Sequence, residues 1–117
     1  THRPLTRQFQ GIDILNVGSV GSPFDGDERA SYGQLEWRHG HWHTRIIRLD
    51  YDRISAGRAF EESGFLDRGG PLARIVYAEW LRARPLINGW HQRYGEAVRQ
   101  GEIDPDSAVD EYLQSLG

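Results

Sequence analysis

Three histidines stand at alternate positions, His39, His41 and His43, in a stretch rich in strand-forming residues. Side chains at positions i, i+2 and i+4 of a β-strand share one face, and imidazole is a common metal ligand, so the spacing allows a metal site. The glycine between the first two favours a turn, and Trp42 and Thr44 are expected to face inward. We therefore expect solvent-exposed hairpin histidines and keep a metal site as the alternative.

A second group of chemically notable residues occupies positions 16–32, which read Asn-Val-Gly-Ser-Val-Gly-Ser-Pro-Phe-Asp-Gly-Asp-Glu-Arg-Ala-Ser-Tyr. The chain itself starts with Thr1-His2-Arg3-Pro4. Together these segments resemble the C-terminal half of calcineurin-like metallophosphoesterases, in the branch of small bacterial and archaeal phosphodiesterases. In that family a Gly-His-Thr-His motif precedes a strand pair and a loop of roughly Asn-Pro-Gly-Ser-Val-Gly, an acidic-Gly-acidic turn, Arg-Ala and an aromatic residue. Thr1-His2 matches the second half of the motif.

The resemblance implies a dinuclear metal centre to which His2 contributes one ligand. In the family two divalent cations activate a bridging water and hold the phosphate for an in-line displacement. Imidazole suits Mn, Fe, Zn, Co and Ni, so the identity of the metals stays open. The resemblance also implies that the loop of residues 17–29 lies beside the metals. It makes Asn16, Gly18, Ser19 and Arg29 the residues that support the ligands or the substrate.

Purely structural roles are the alternative for several residues of this loop. Asp25 and Asp27 flank a glycine in a sequence typical of a turn, and Arg29 is able to pair with either carboxylate. We expect these three residues to have structural roles, whereas Ser19 fits both roles equally. The prolines of the family pattern are replaced by valine and glutamate at positions 17 and 28, which removes no reactive group.

Most of the machinery that the resemblance implies has no counterpart in this sequence. The missing parts are the family's Asp-x-His, Gly-Asp, Gly-Asn-His and single-His motifs, which precede this region, and the first half of Gly-His-Thr-His. We therefore expect a fragment that is inactive alone and whose partner is the N-terminal half of the same protein. The alternative for His2 in the isolated chain is a terminal residue without a defined position.

Composition limits the remaining classes of function. The 117 residues suffice for one modest domain, and the absence of Cys excludes disulfides and thiolate metal sites. No apolar run approaches the roughly 20 residues that span a bilayer, so we expect a cytoplasmic protein without a membrane partner. The net charge of −3, with every basic residue an Arg, gives no support for nucleic-acid binding. A nucleotide substrate is still compatible with it.

The first half of the chain has the pattern of β-strands. Residues 5–9 and 12–16 flank Gln10-Gly11, a predicted tight turn, and residues 31–37 and 41–49 flank a turn at residues 38–40. Alternation places Leu35 and Trp37 on one face of their strand and Trp42 and Ile46 on one face of theirs. The simplest arrangement is a four-stranded meander, and we expect its apolar face to drive association if it is left uncovered.

The second half has helical periodicity. A helix over residues 53–63 presents Ile54, Ala59 and Phe60, and a second begins after Gly69-Gly70-Pro71. A third helix covers residues 87–100 and is closed by Gly101, and a fourth begins at Asp104-Pro105. These amphipathic helices need a common partner, which is either each other or the sheet.

The predicted fold class is α/β: the C-terminal half of a metallophosphoesterase β-sandwich, with antiparallel strands followed by three to four helices in a four-layer arrangement. Residues 1–52 form the sheet part and residues 53–117 a helical extension. The predicted function is a metal-dependent phosphoester hydrolase, most simply a phosphodiesterase. The alternative is a non-catalytic interaction or dimerisation module. We expect the chain to associate, either with its N-terminal half or with a second copy as a homo-oligomer. The competing outcome is that the helices cover the sheet.

Overall fold

The computed structural model describes residues 2–117, so the Thr1 part of the predicted half motif lies outside the described residues. The chain divides into two compact units, the first ending at Tyr51 and the second being Asp52–Gly117. The first unit contains β-strands and the second α-helices. None of the helices in the described part of the chain has the length and apolar character needed to cross a membrane.

Two hairpins make up the first unit. Strands β1 (Leu5–Phe9) and β2 (Ile12–Asn16) are joined at Gln10 and Gly11, whose φ angles are 50° and 78°. Strands β3 (Ala30–Arg38) and β4 (His41–Leu49) are joined at His39 and Gly40, with φ of 52° and 81°. Two consecutive positive φ angles are typical of the type I′ turn, whose twist matches that of the flanking strands. The predicted hairpins and their turns are confirmed.

The predicted four-stranded meander is wrong, because β1–β2 and β3–β4 form two separate sheets within residues 2–117. The chain leaves β2 through the long loop of residues 17–29, and the side chain of Val17 then lies over the face of β3. A Cβ atom added to Gly33 would meet Val17 Cγ1 at 2.4 Å. The end of β2 therefore stacks on β3 and does not pair with its edge.

One face of the β3–β4 hairpin is apolar and largely exposed. Trp37 lies opposite Trp42, and Leu35 lies opposite Thr44, so these residues share a face with Ile46 as predicted. The two indoles meet edge to face with ring centroids 5.2 Å apart. Leu35, Trp37 and Trp42 are nevertheless 57–58% exposed. Among residues 2–51 only Pro23 and Ser31 are buried.

The second unit consists of five helices, which are α1 (Arg53–Glu62), α2 (Phe65–Arg68), α3 (Leu72–Arg82), α4 (Ile87–Arg99) and α5 (Pro105–Ser115). The predicted cap of α5 is confirmed, since the Asp104 carboxylate accepts the Ser107 N–H at 3.0 Å. Gly101, with φ of 74°, follows α4, and its N–H and that of Glu102 donate to the last-turn carbonyls of Val98 and Ala97. This pair of bonds is a Schellman motif, and the prediction that Gly101 closes the helix is confirmed.

The helices of the second unit pack on each other around one apolar core. Eight buried residues form it: Ile75, Ala78, Leu86, Trp90, Tyr94, Ala108, Val109 and Tyr112. All of them lie in α3, α4, α5 or the α3–α4 connection, so the amphipathic helices supply one another's partner surface. Of the three apolar residues that α1 was predicted to present, Ile54 is 76% exposed, Ala59 is also exposed and Phe60 is partly buried. Helix α2 was not predicted, because it has only four residues and follows Gly64 at a φ of 71°.

The chain is therefore a mixed α/β protein in which antiparallel strand pairs precede helices. The finer expectation, half of a four-layer sandwich, stays a prediction.

Candidate functional site

The loop of residues 17–29 holds its shape through side chains that the sequence singled out. Asn16 Oδ1 accepts the Gly18 N–H at 3.0 Å, a short-range turn that ends β2. Gly18 has a φ of 86°, which favours glycine. Ser19 Oγ accepts the Ser22 N–H at 2.9 Å. Asn16, Gly18 and Ser19 therefore each shape the loop.

A serine that sequence reasoning missed attaches this loop to the β3–β4 hairpin. Ser31 is 1% exposed, its N–H donates to the Ser19 carbonyl at 2.9 Å, and its hydroxyl donates to the Val17 carbonyl. Both hydrogen-bond donors of this buried residue are thus satisfied, as burial requires. The sequence signal was slight, since a serine beside a strand start is usually a surface residue.

The segment that carries His2 lies directly against the loop. The Phe24 N–H donates to the His2 carbonyl at 3.3 Å, and Arg3 Nε donates to the Phe24 carbonyl at 2.8 Å. The imidazole of His2 meets the Phe24 ring edge to face, with centroids 4.4 Å apart. A Cβ atom on Gly18 would come within 2.9 Å of Pro4 Cγ, so a glycine is needed for this approach. The His2 side chain is exposed.

The acidic turn of the loop forms an ion-pair network. Asp27 holds Arg29 through two side-chain bonds of 2.7 and 3.0 Å and also accepts the Arg29 N–H at 3.1 Å. These bonds, helped by the charge of Arg48, hold the pKa of Asp27 well below its usual range, and Asp27 in turn raises the pKa of Arg29. The predicted pairing of Arg29 with a carboxylate is confirmed.

Arg48 of β4, which the sequence did not single out, joins the same network. Its guanidinium pairs with Asp25 and lies 3.7 Å from Asp27 Oδ2, and it also donates to the Arg29 carbonyl at 3.3 Å. Two carboxylates thus neutralise two guanidinium groups. The predicted structural role of Asp25, Asp27 and Arg29 agrees with this arrangement.

The structure brings together two of the three hairpin histidines and places the third in the turn. His39 occupies the turn, while His41 and His43 share one face of β4 with ring centroids 4.4 Å apart. All three are exposed. His39 approaches the pair through its backbone, because its carbonyl lies 3.2 Å from Nδ1 of His41.

The described residues do not fit a complete dinuclear metal centre. His2 offers one exposed imidazole, and no cluster of three or more His, Asp or Glu side chains suited to a metal ion occurs within residues 2–117. A single imidazole does not hold two cations, so a centre of this kind needs ligands besides His2. Comparison of the chain with models of protein families, with curated proteins and with solved structures gives no match.

Proposed function

We propose that the first unit belongs to a phosphoester hydrolase of the metallophosphoesterase type, and that it contributes His2 and the loop of residues 17–29 to the catalytic site. A phosphodiester is the proposed substrate class, and a nucleotide is one member of it. The second unit is then an extension of the enzyme. The other metal ligands of such an enzyme are not among the residues of this chain.

The observation that carries the proposal is the contact between the two sequence segments on which the resemblance rests. The whole β1–β2 hairpin separates His2 from the loop in sequence, yet His2 and Phe24 share a backbone hydrogen bond and a ring contact. Gly18 leaves room for the ring of Pro4, which follows His2 by two residues. An imidazole held by contacts with a neighbouring loop is in a favourable arrangement for a metal ligand, since fixed orientation lowers the cost of binding.

Apart from His2, the proposed metal ligand, the residues of this chain act in the proposed reaction by positioning. The Asn16 and Ser19 side chains and the Asp27–Arg29 pair fix the backbone of the loop, and the loop fixes His2. Because Arg29 and Arg48 are already paired with carboxylates, the loop offers no free cationic side chain from this network to a phosphate. Phosphate binding would therefore depend on groups outside the network.

The direct test uses the protein with the preceding motifs attached. His2→Ala is expected to lower Mn²⁺-dependent hydrolysis of bis-p-nitrophenyl phosphate by about 100-fold or more and to lower the bound metal content. His91→Ala, which changes an exposed histidine of α4, is the matched control and should leave both unchanged. Unchanged rate and metal content in His2→Ala would refute the role of His2.

The 117-residue chain alone gives the complementary test. It should not hydrolyse the same ester with added Mn²⁺, since only one of the expected ligands is present. The pure chain could instead show metal-dependent turnover that is lost when one of its own residues is changed. That result would show that these 117 residues contain a complete site, which would contradict the proposal.

A second candidate function, an interaction module, is favoured by the exposed apolar face of the first unit. The cavity between the hairpins has a volume of about 550 Å³ and is lined in part by Ile12, Ile14, Leu35 and Trp42. These side chains are 42–64% exposed. Exposed contiguous apolar surface marks sites of protein association.

Light scattering of the chain at micromolar concentration tests the second candidate. A dimer or larger species that dissociates in the Trp42→Ser variant would support association through this face. A monodisperse species of 13.4 kDa would refute it. Mass spectrometry of the same sample would show whether another polypeptide copurifies.

A further inference from the structure

Two histidine side chains lie close together on the β3–β4 hairpin, on the face opposite Trp37 and Trp42. His41 and His43 are two residues apart on β4, so both project from that face. Their rings are 4.4 Å apart between centroids, and both residues are exposed to solvent. Two imidazoles at this separation are close enough to act on one small ion.

The backbone carbonyl of His39 orients the first of these imidazoles. It lies 3.2 Å from Nδ1 of His41, so the tautomer that satisfies this contact carries its proton on Nδ1. The lone pair of His41 is then on Nε2. Metal-binding histidines in proteins usually have this arrangement, in which one ring nitrogen donates to a carbonyl and the other binds the ion. The positive φ of His39 in the type I′ turn places the carbonyl there.

The two histidines lie opposite a carboxylate, which is able to donate an oxygen to a metal ion, and a guanidinium group, whose positive charge repels a cation. Glu36 lies directly opposite His43, and Arg38 lies opposite His41. Glu36 is paired with Arg38, and hydrogen bonding from Arg38 lowers the pKa of Glu36, so the carboxylate is ionised. Both side chains of this pair are about half exposed, and an exposed ion pair is easily exchanged for another partner.

We propose that His41 and His43 chelate one divalent ion of the late first transition row, with Glu36 as the third ligand after it leaves Arg38. Imidazole nitrogen and carboxylate oxygen suit Zn²⁺, Ni²⁺ and Cu²⁺, and Cu²⁺ should bind most tightly. The three donors do not converge in the metal-free chain, so binding requires a rotation of the Glu36 side chain. The proposal is independent of the proposed function, because His2 and the loop play no part in it.

The test is a titration of the whole chain with Zn²⁺. Binding is measured by calorimetry and by the imidazole signals in NMR spectra. One ion per chain is expected, with the signals of His41 and His43 shifted together. His41→Ala and His43→Ala should each weaken binding at least about tenfold, as the loss of one of two imidazoles removes the chelate. His91→Ala is the matched control. His2→Ala tests whether the proposed ligand His2 takes part in this Zn²⁺ binding. Both variants should bind Zn²⁺ as the wild type does.

The remaining outcomes test the role of Glu36 and the site as a whole. Glu36→Gln should weaken binding by a smaller factor than either histidine change, and an unchanged affinity would overturn the role of Glu36. Equal loss in His91→Ala, or no binding at millimolar Zn²⁺, would overturn the site as a whole. Amide hydrogen exchange of the β3–β4 ladder in each variant establishes that the hairpin is still folded.

Discussion

The two units of this chain are stabilised in different ways. In the second unit eight buried residues form a shared core, and the helices are closed by side-chain and backbone caps. In the first unit residues 2–51 bury only Pro23 and Ser31, and order comes from ladders of hydrogen bonds, type I′ turns and an ion-paired loop. Since isolated two-stranded sheets are at best marginally stable, the contrast indicates that the first unit depends on further contacts far more than the second does.

The largest effect should follow from opening the core of the helical unit. Ile75 is fully buried, so Ile75→Ala should lower the free energy of unfolding of this unit by about 2–5 kcal/mol. Ile54→Ala is the matched control at a 76% exposed position, where a change within about 0.5 kcal/mol is expected. Urea denaturation followed by helical circular dichroism measures both. Similar losses in the two variants would contradict the assignment of the core to α3–α5.

The next effect concerns a buried carboxylate. Glu79 of α3 is 6% exposed, and its Oε1 accepts the N–H groups of Leu86 and Ile87 at 2.6 and 2.9 Å, where α4 begins. Glu79→Ala would leave both donors unpaired and should cost about 2–3 kcal/mol of stability. Glu79→Gln keeps an acceptor and should cost less. Equal losses in the two variants would show that packing, and not hydrogen bonding, is the main contribution of Glu79.

In the strand unit the expected effect is smaller and tests the stacking of β2 on β3. Gly33→Ala would place a methyl group 2.4 Å from Val17 Cγ1, so a cost of about 1–2 kcal/mol is expected from overpacking. The double variant with Val17→Ala should recover most of this loss. Amide hydrogen exchange of the β3–β4 ladder measures the effect. A loss that Val17→Ala does not relieve would mean that the two hairpins are not stacked in this way.

The smallest effect is a pH dependence of the helical unit. Hydrogen bonds from the Ser107 hydroxyl and N–H lower the pKa of Asp104 from its ordinary value of 3.8. A lowered folded-state pKa gives stability that is present above 3.8 and is lost as the pH falls through the folded value. The melting temperature should therefore fall in acid, and Asp104→Asn, which keeps an acceptor, should reduce this slope.

A control for the acid slope is Gln114→Ala, at an exposed position of α5 without a titratable group. It should leave the acid dependence of the melting temperature unchanged. If Asp104→Asn had the same slope as the wild type, the cap would not be the source of the dependence.

Sequence patterns predicted the elements well where local chemistry determines them. The turns at residues 10–11 and 39–40, the cap at Asp104 and the closing glycine at position 101 each depend on neighbours within a few residues. The separation of the two sheets could not be predicted, because it depends on Val17 meeting Gly33, a contact between distant residues.

The same limit applies to the functional residues. The pairing of Arg29 with a neighbouring carboxylate was predictable, but the roles of Ser31, Arg48 and Glu79 depend on tertiary contacts. Glu79 did leave a signal. It lies four residues after Ile75, on the buried stripe of α3, and a charged residue on such a stripe indicates a buried partner.

The placement of the four tryptophans has a practical consequence for spectroscopy. Trp37 and Trp42 are more than half exposed, whereas Trp80 and Trp90 are 5% and 7% exposed. An aqueous quencher such as iodide should therefore extinguish the red-shifted emission of the strand unit and spare the blue-shifted emission of the helical unit. One cuvette of unlabelled protein then reports on each unit separately, and a ligand or partner that covers the hairpin would be detected as protection from the quencher.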